Sequence, residues 1–231
     1  MKLYYFPGST TCRAVQMFAA EAGIPLALEA VDLMSGAHLT AAFGAINPNR
    51  CVPVLEEPDG FRLAESSAIL KYLAEKTNSP AYPSDPRGRA RVNAQMDWFN
   101  TGFYREFGYG LVYPQILPYL GWEDPAVQRA VLARGAERSA RLMRMLNDDW
   151  LGEDGPYLGG DAPDLADFLG VCFTSIGEMV AFDFAPYPRV RRWMAAMRSR
   201  PCWAEVNGPW EAWRDHCLAQ RSSATQEAAA S

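Results

Sequence analysis

Ser9 stands behind Pro7-Gly8, at the exit of an aromatic run and ahead of a helical pattern, so its hydroxyl is expected beside the positive end of a helix. A second junction of this kind lies at Glu65-Ser66, where the strand-like Phe61–Ala64 gives way to the helical Ser67-Ala68-Ile69-Leu70. The first N–H groups of a helix lack backbone partners and point at whatever anion lies above them. Ser66 can accept from that helix start while donating to a carboxylate, and Glu65 can meet an ammonium group. Between the two junctions, Ile46-Asn47-Pro48-Asn49-Arg50-Cys51-Val52-Pro53-Val54-Leu55 carries two prolines into a short apolar strand. Pro53 cannot donate to a ladder and belongs at a strand start or an edge, while local physics leaves the isomer of the Val52–Pro53 bond open. On residue types alone, Ser9 also reads as a plain helix cap and Glu65-Ser66 as an ordinary helix start. Cys12 is the nearest thiol. Ser9 occupies the place of the first cysteine of a C-x-x-C pair, so no internal dithiol can form and a buried structural cysteine is expected.

The elements that must position these groups follow from the pattern. Lys2 to Tyr5 reads as a first strand ended by Pro7-Gly8. From Thr11, Val15, Phe18, Ala19 and Ala22 form one buried helical stripe, stopped by Gly23 and Pro25. Leu26 to Leu33 reads as a second strand and Ser35 to Ala45 as loop plus short helix. Val52 to Leu55 and Phe61 to Ala64 pair across a Pro58-Asp59-Gly60 turn, and a helix runs from near Ser66 to Asn78. The order β-α-β-α-β-β-α occupies residues 1–78. Pro80 to Pro86 reads as a linker, placed at 79–88, and residues 89–221 read as all-helical: a long helix from Arg89 to about Tyr113 bent near Gly108 and Gly110, one capped at Asp124-Pro125 and running to about Trp150, one opened by the Asp164–Asp167 capping-box variant, one opened by Pro188, and a last region from Pro201 to about Ala219. The small, polar residues 222–231 are expected to be disordered.

The chain has 231 residues, 49% of them hydrophobic, and a formal net charge of −5. That is enough for a sizeable core in one or two domains, and it lacks the basic footprint of a general nucleic-acid binder. No apolar run approaches the roughly 20 residues that span a bilayer, and the N-terminus reads as a strand, so a cytoplasmic protein without a membrane partner is expected. Five scattered cysteines without C-x-x-C, and two histidines, argue against a disulfide framework or a metal site. Arg134, Arg138, Arg141 and Arg144, with Glu137 interspersed, read as a solvated helix face.

Taken together, the stretch Asn47 to Leu55 and the stretch Leu63 to Lys76 resemble the cytosolic-type glutathione transferases. Tyr5-Phe6-Pro7-Gly8-Ser9-Thr10-Thr11-Cys12-Arg13 resembles their serine-type members, in a theta/delta-like bacterial group. The resemblance covers essentially the whole chain and is strongest over residues 1–78. It implies a thioredoxin-like α/β domain followed by an all-α helical domain, a homodimer, and glutathione as cosubstrate with no metal or prosthetic group. Val52-Pro53 would carry a cis-proline whose backbone binds the cysteine part of glutathione, with Cys51 near its glycine side. Glu65 and Ser66 would hold the γ-glutamyl carboxylate. Arg50 stands where the family often has a histidine or lysine facing the glycyl carboxylate, and its planar fork suits that task. His38 aligns with a glutathione-contacting position of delta-class relatives. Ser9 would activate the thiol, which at a pKa of about 8.5 is little ionised at neutral pH.

The family's electrophile pocket lies between the domains against the long helix, which assigns Tyr104, Phe107 and Tyr113 to it and favours apolar, aromatic or halogenated electrophiles. The expected activity is conjugation of glutathione to such an electrophile. Alternatives are glutathione-dependent isomerisation, dehalogenation or ether cleavage on the same site, a non-catalytic scaffold that binds a protein partner, and a thiol-disulfide oxidoreductase using Cys12.

Overall fold

The computed structural model describes the backbone of residues 1–230 and the side chains of residues 1–223. Strand β1 (Lys2–Tyr5) lies at the centre of a four-stranded sheet with β2 (Ala27–Ala30), β3 (Val54–Glu56) and β4 (Arg62–Ala64), in the order β2-β1-β3-β4. β1 pairs in parallel with β2 and antiparallel with β3, Leu3 facing Leu55, and β3 pairs antiparallel with β4. Helices α1 (Thr10–Glu21) and α3 (Ser66–Lys76) cover one face, burying Val15, Phe18, Ile69, Leu70 and Leu73. The short α2 (Ala41–Ile46) covers the other, where Phe43 meets Tyr4, Val31 and Val54. This is a thioredoxin-like domain.

Everything beyond it is helical. Helix α4 (Pro86–Trp98) begins inside the segment expected to be linker, because the Asp85 carboxylate caps it at Gly88 N–H (2.8 Å) and Pro86 sits at its first position. It runs on through Phe99–Val112 in wider turns closed by i→i+5 bonds, such as Tyr113 N–H to the Gly108 carbonyl. These wide turns stand where the glycines suggest a bend. Helix α5 (Pro125–Met145) is capped by Asp124 and crosses the wide-turn segment where Gly135 lies directly against Gly110, an approach with no room for a side chain. Helix α6 (Leu165–Ser175) is buried along its whole length and starts on the Asp164–Asp167 capping box. Helices α7 (Pro188–Arg198), α8 (Pro201–Val206) and α9 (Gly208–Ala230) complete the domain. The backbone of α9 continues through residues 222–230, where composition suggested disorder; the stretch is alanine-rich and contains no glycine or proline to stop it. The side chains of 224–230 and all of Ser231 lie outside the described residues.

The domains share one core. Phe18 of α1 meets Phe168 of α6 edge-on, with ring centroids 5.6 Å apart, and Glu21 pairs with Arg200. Among the described residues no helix is long and apolar enough to cross a membrane.

Candidate active site

Ser9 is the N-cap of α1 and is half-buried. Its Oγ accepts from Cys12 N–H at 3.4 Å and bonds Thr11 Oγ1 at 3.3 Å, while Thr11 Oγ1 donates to the Val52 carbonyl at 3.3 Å. Because Thr11 spends its one proton on Val52, the Ser9 proton is directed at Thr11, over a distance longer than the usual hydroxyl bond of about 2.7–2.8 Å. That proton is free to turn to a stronger acceptor. The segment behind it is fixed. Gly8, at φ 81°, has its α-carbon hydrogens against the backbone of Trp210. Thr10 Oγ1 bonds the Tyr113 hydroxyl at 2.8 Å. Arg13 is fully buried, donating to Asn207 Oδ1 (2.7 Å) and Ser175 Oγ (2.9 Å), with its guanidinium 4.1 Å from the Trp210 ring. Cys12 is fully buried too, and burial pushes its thiol up to about 11.

The Val52–Pro53 bond is cis, and the Val52 carbonyl accepts from Thr11 Oγ1 beside Ser9. The loop ahead of it is organised by Asn47, which is buried: its Nδ2 donates to the Cys51 carbonyl (2.8 Å) and its Oδ1 accepts from Asn49 N–H (3.0 Å). The sequence pattern assigns Asn47 no role of its own; an Asn before a proline in a turn is the signal that marks it. Arg50 adopts φ 54° and sends Nη1 to the Leu39 carbonyl (2.6 Å), so one arm of its fork is already engaged and it lies across the loop that carries His38. His38 is half-buried, and its Nδ1 has no partner among the described residues. Cys51 is exposed; partial burial and then the Glu65 carboxylate hold its thiol above the ordinary value.

Glu65 is exposed at φ 68° and ψ 114°, a left-handed-side backbone that a non-glycine residue adopts only when its surroundings impose it. Ser66 is buried behind it at the start of α3, which no side chain among the described residues caps. The first N–H groups of α3 are thus left without a side-chain cap and available to an anion, and Glu65 just ahead of them is close enough to Cys51 to raise its thiol.

Near Cys51 stands an aromatic cluster. Tyr104 and Tyr113 bond through their hydroxyls at 2.6 Å, and Tyr109 packs edge-on against both, with centroids 5.3 and 5.1 Å away. Burial raises the Tyr104 phenol well above its ordinary value and brings Tyr113 up to about 12, so both are neutral. Tyr109 is 52% exposed, and its phenol is raised by partial burial and then by the nearby Cys51. The structure corrects one assignment here. Phe107 is fully buried between Phe103 and Phe182, at 5.2 and 5.1 Å, and belongs to the core. Tyr109 joins Tyr104 and Tyr113 because an i→i+5 turn returns it, and then Tyr113, to the side of Tyr104.

Residues 3–81 match a family model described as glutathione S-transferase, N-terminal domain, and residues 117–201 match the glutathione S-transferase C-terminal domain. A mouse relative, glutathione S-transferase theta-1 of Mus musculus, is 35% identical over 199 residues, covering 84% of this chain and 80% of that protein. The crystal structure of human glutathione transferase theta-2, in complex with glutathione and an unknown ligand, has a TM-score of 0.83 at 30% identity, covering 95% of this chain and 90% of that one. A delta-class glutathione transferase of Nilaparvata lugens has a TM-score of 0.77 at 31% identity, covering 94% and 98%.

Proposed function

Because the chain belongs to the cytosolic glutathione S-transferase superfamily, on its theta- and delta-like side, we propose that the cleft binds glutathione and that Ser9 holds its sulfur as a thiolate for attack on an apolar electrophile. The observation that carries this reading is the Ser9 hydroxyl: its acceptor side is engaged by Cys12 N–H, and its proton rests on a 3.3 Å contact that a thiolate can replace. Donation to the sulfur favours the charged form, and each unit by which the thiol pKa falls corresponds to about 1.4 kcal/mol.

The rest of the cleft supports the same occupant. The uncapped start of α3 with Ser66 suits the γ-glutamyl carboxylate, with Glu65 available to the ammonium. The backbone at Val52 and Pro53 adjoins Ser9 through Thr11, as a cysteinyl group would require. Arg50, His38 and Cys51 bound the end where the glycyl carboxylate would lie, and the free arm of Arg50 supplies the charge. Tyr104, Tyr109 and Tyr113 form an aromatic wall for an electrophile held in line with the sulfur, where orientation supplies rate. Neither metal nor prosthetic group takes part in this reading, and the assembly is taken as a cytoplasmic homodimer, tested by sedimentation.

Calorimetric titration with reduced glutathione, run beside Ser9→Ala, tests the proposal. Saturable binding with ultraviolet thiolate absorbance at neutral pH is expected for the wild type. Ser9→Ala should bind glutathione while its thiol returns toward about 8.5. Absence of binding at millimolar glutathione would refute the enzyme reading and favour a scaffold.

A further inference from the structure

We propose that Tyr113 is a positioning residue for Ser9, acting through Thr10; the inference rests on the reading of Ser9 as the donor to the glutathione thiolate. The Ser9 side chain does little to place itself: its contacts to Thr11 Oγ1 and Cys12 N–H are long, at 3.3 and 3.4 Å, and the Cys12 thiol beside it is a weak partner. Its location is set by the backbone of its neighbours. On one side Gly8 rests on Trp210. On the other, Thr10 is 5% exposed and its hydroxyl meets Tyr113, which is 6% exposed. This 2.8 Å bond joins residues 103 apart in sequence and ties the first turn of α1 to the end of the wide-turn segment.

The Tyr113 hydroxyl also bonds Tyr104 at 2.6 Å, so the three hydroxyls form one chain, Thr10–Tyr113–Tyr104. Tyr113 makes both short bonds of the chain, while the Tyr104 phenol also lies close enough to Thr10 to interact with its hydroxyl. Deleting the Tyr113 oxygen removes the short bond of the buried Thr10 hydroxyl, which must then shift to complete a bond with Tyr104 or stay unpaired, and either outcome moves the backbone that carries it. The segment that would move begins one residue from Ser9. The ring alone cannot hold it there, because the link to Thr10 is made by the oxygen.

The titratable and charged groups facing the Tyr113 hydroxyl are Tyr104 and Tyr109 from its own segment and Arg13 from α1. The phenol, brought up to about 12 by burial, keeps one protonation state through the neutral range. A change in pH profile on altering Tyr113 therefore reports the glutathione thiol and not the tyrosine.

The experiment compares wild type, Ser9→Ala, Tyr113→Phe, Thr10→Val, Thr10→Ser and the double variant Tyr113→Phe/Thr10→Val. It reads thiolate absorbance of bound glutathione against pH, and kcat and KM with an aryl halide. Tyr113→Phe and Thr10→Val should each raise the apparent thiol pKa by about 0.5–1 unit and lower kcat at pH 7 by about three- to tenfold, with KM for glutathione changed less than about twofold. Thr10→Ser keeps the hydroxyl and should behave as wild type. The double variant should be no worse than either single one, because both remove the same bond. An unchanged thiol pKa in Tyr113→Phe and Thr10→Val, with losses confined to electrophile KM or to thermal midpoint, overturns the positioning role while leaving Ser9 intact. A wild type that fails to ionise bound glutathione, or ionises it no better than Ser9→Ala, overturns the Ser9 reading and this inference with it.

Discussion

Phe107→Leu and Tyr109→Leu are aromatic-to-leucine changes two residues apart, and they should have opposite consequences. The Phe107 ring is fully buried, packed against Phe103 and Phe182, and lies within 2.6 Å of where a Cβ on Gly177 would be, so it fills its space tightly. Truncating a buried phenylalanine to alanine costs about 3–5 kcal/mol, and leucine retains enough volume that about 1–2 kcal/mol is expected. For a chain of this length that corresponds to a thermal midpoint lowered by roughly 2–8 °C. Electrophile KM should not move, because no atom of Phe107 reaches the cleft. Tyr109 is half exposed, so its replacement should change stability by less than about 0.5 kcal/mol. It removes the aromatic face near Cys51, and the loss of an aromatic contact worth about 0.5–1.5 kcal/mol should raise KM for an aryl electrophile by about two- to tenfold. Urea denaturation and steady-state kinetics on both variants decide the matter. A raised electrophile KM in Phe107→Leu at unchanged stability would refute the wide-turn assignment of the wall, and so would an unchanged KM in Tyr109→Leu.

Two further outcomes follow from buried groups. Asp167 is fully buried and accepts from Leu158 N–H, Asp164 N–H and the Trp193 indole at 2.7–2.8 Å, so Asp167→Asn, which sets a donor against donors, should cost about 2–4 kcal/mol; an unchanged urea midpoint would show that this cluster does not hold α6. The Cys12 thiol, at about 11 when folded against an ordinary 9.0, stays protonated as pH rises while the unfolded thiol ionises, so its contribution to stability is present below pH 9 and is lost between about 9 and 11. Iodoacetamide at pH 8 should accordingly label the exposed Cys51 in the folded protein and leave Cys12 untouched; comparable labelling of the two would contradict the burial of α1.

Features whose causes are local were legible in the sequence. The Asp124 cap, the Asp164–Asp167 box, the apolar stripe of α1 and the Pro58-Asp59-Gly60 turn each act within a few residues, and the elements they start or stop are present. The alternation of strands and helices over residues 1–78 therefore led to the thioredoxin-like layer. What local reasoning lost was decided by competition between local signals. Asp85 ahead of Pro86 is a helix start as strong as the one at Asp124, and the proline count of the segment masked it.

The cleft was less legible, for two physical reasons. The first is periodicity. An α-helical repeat of 3.6 residues puts Phe107 near Tyr104 and sends Tyr113 about 180° away, whereas turns closed by i→i+5 bonds reverse that arrangement. No residue type within Phe99–Val112 announces the wider turn; it is stabilised by what packs on the segment, including Gly135 against Gly110 and Phe173 stacked 4.1 Å from Tyr104. The second reason is distance along the chain. Ser9 could be found from its position before α1, but the groups that hold its segment come from residues 113, 175, 207 and 210, carried on three separate stretches of the helical domain. Arg13 illustrates the point. In sequence it is one more charged residue on a surface-length helix, yet it is fully buried and stabilised by neutral oxygens and an indole face in place of a carboxylate. A guanidinium can be accommodated there only because Asn207, Ser175 and Trp210 converge on it, so the geometry around Ser9 is a property of the seam between the domains and not of the motif that first draws attention to it.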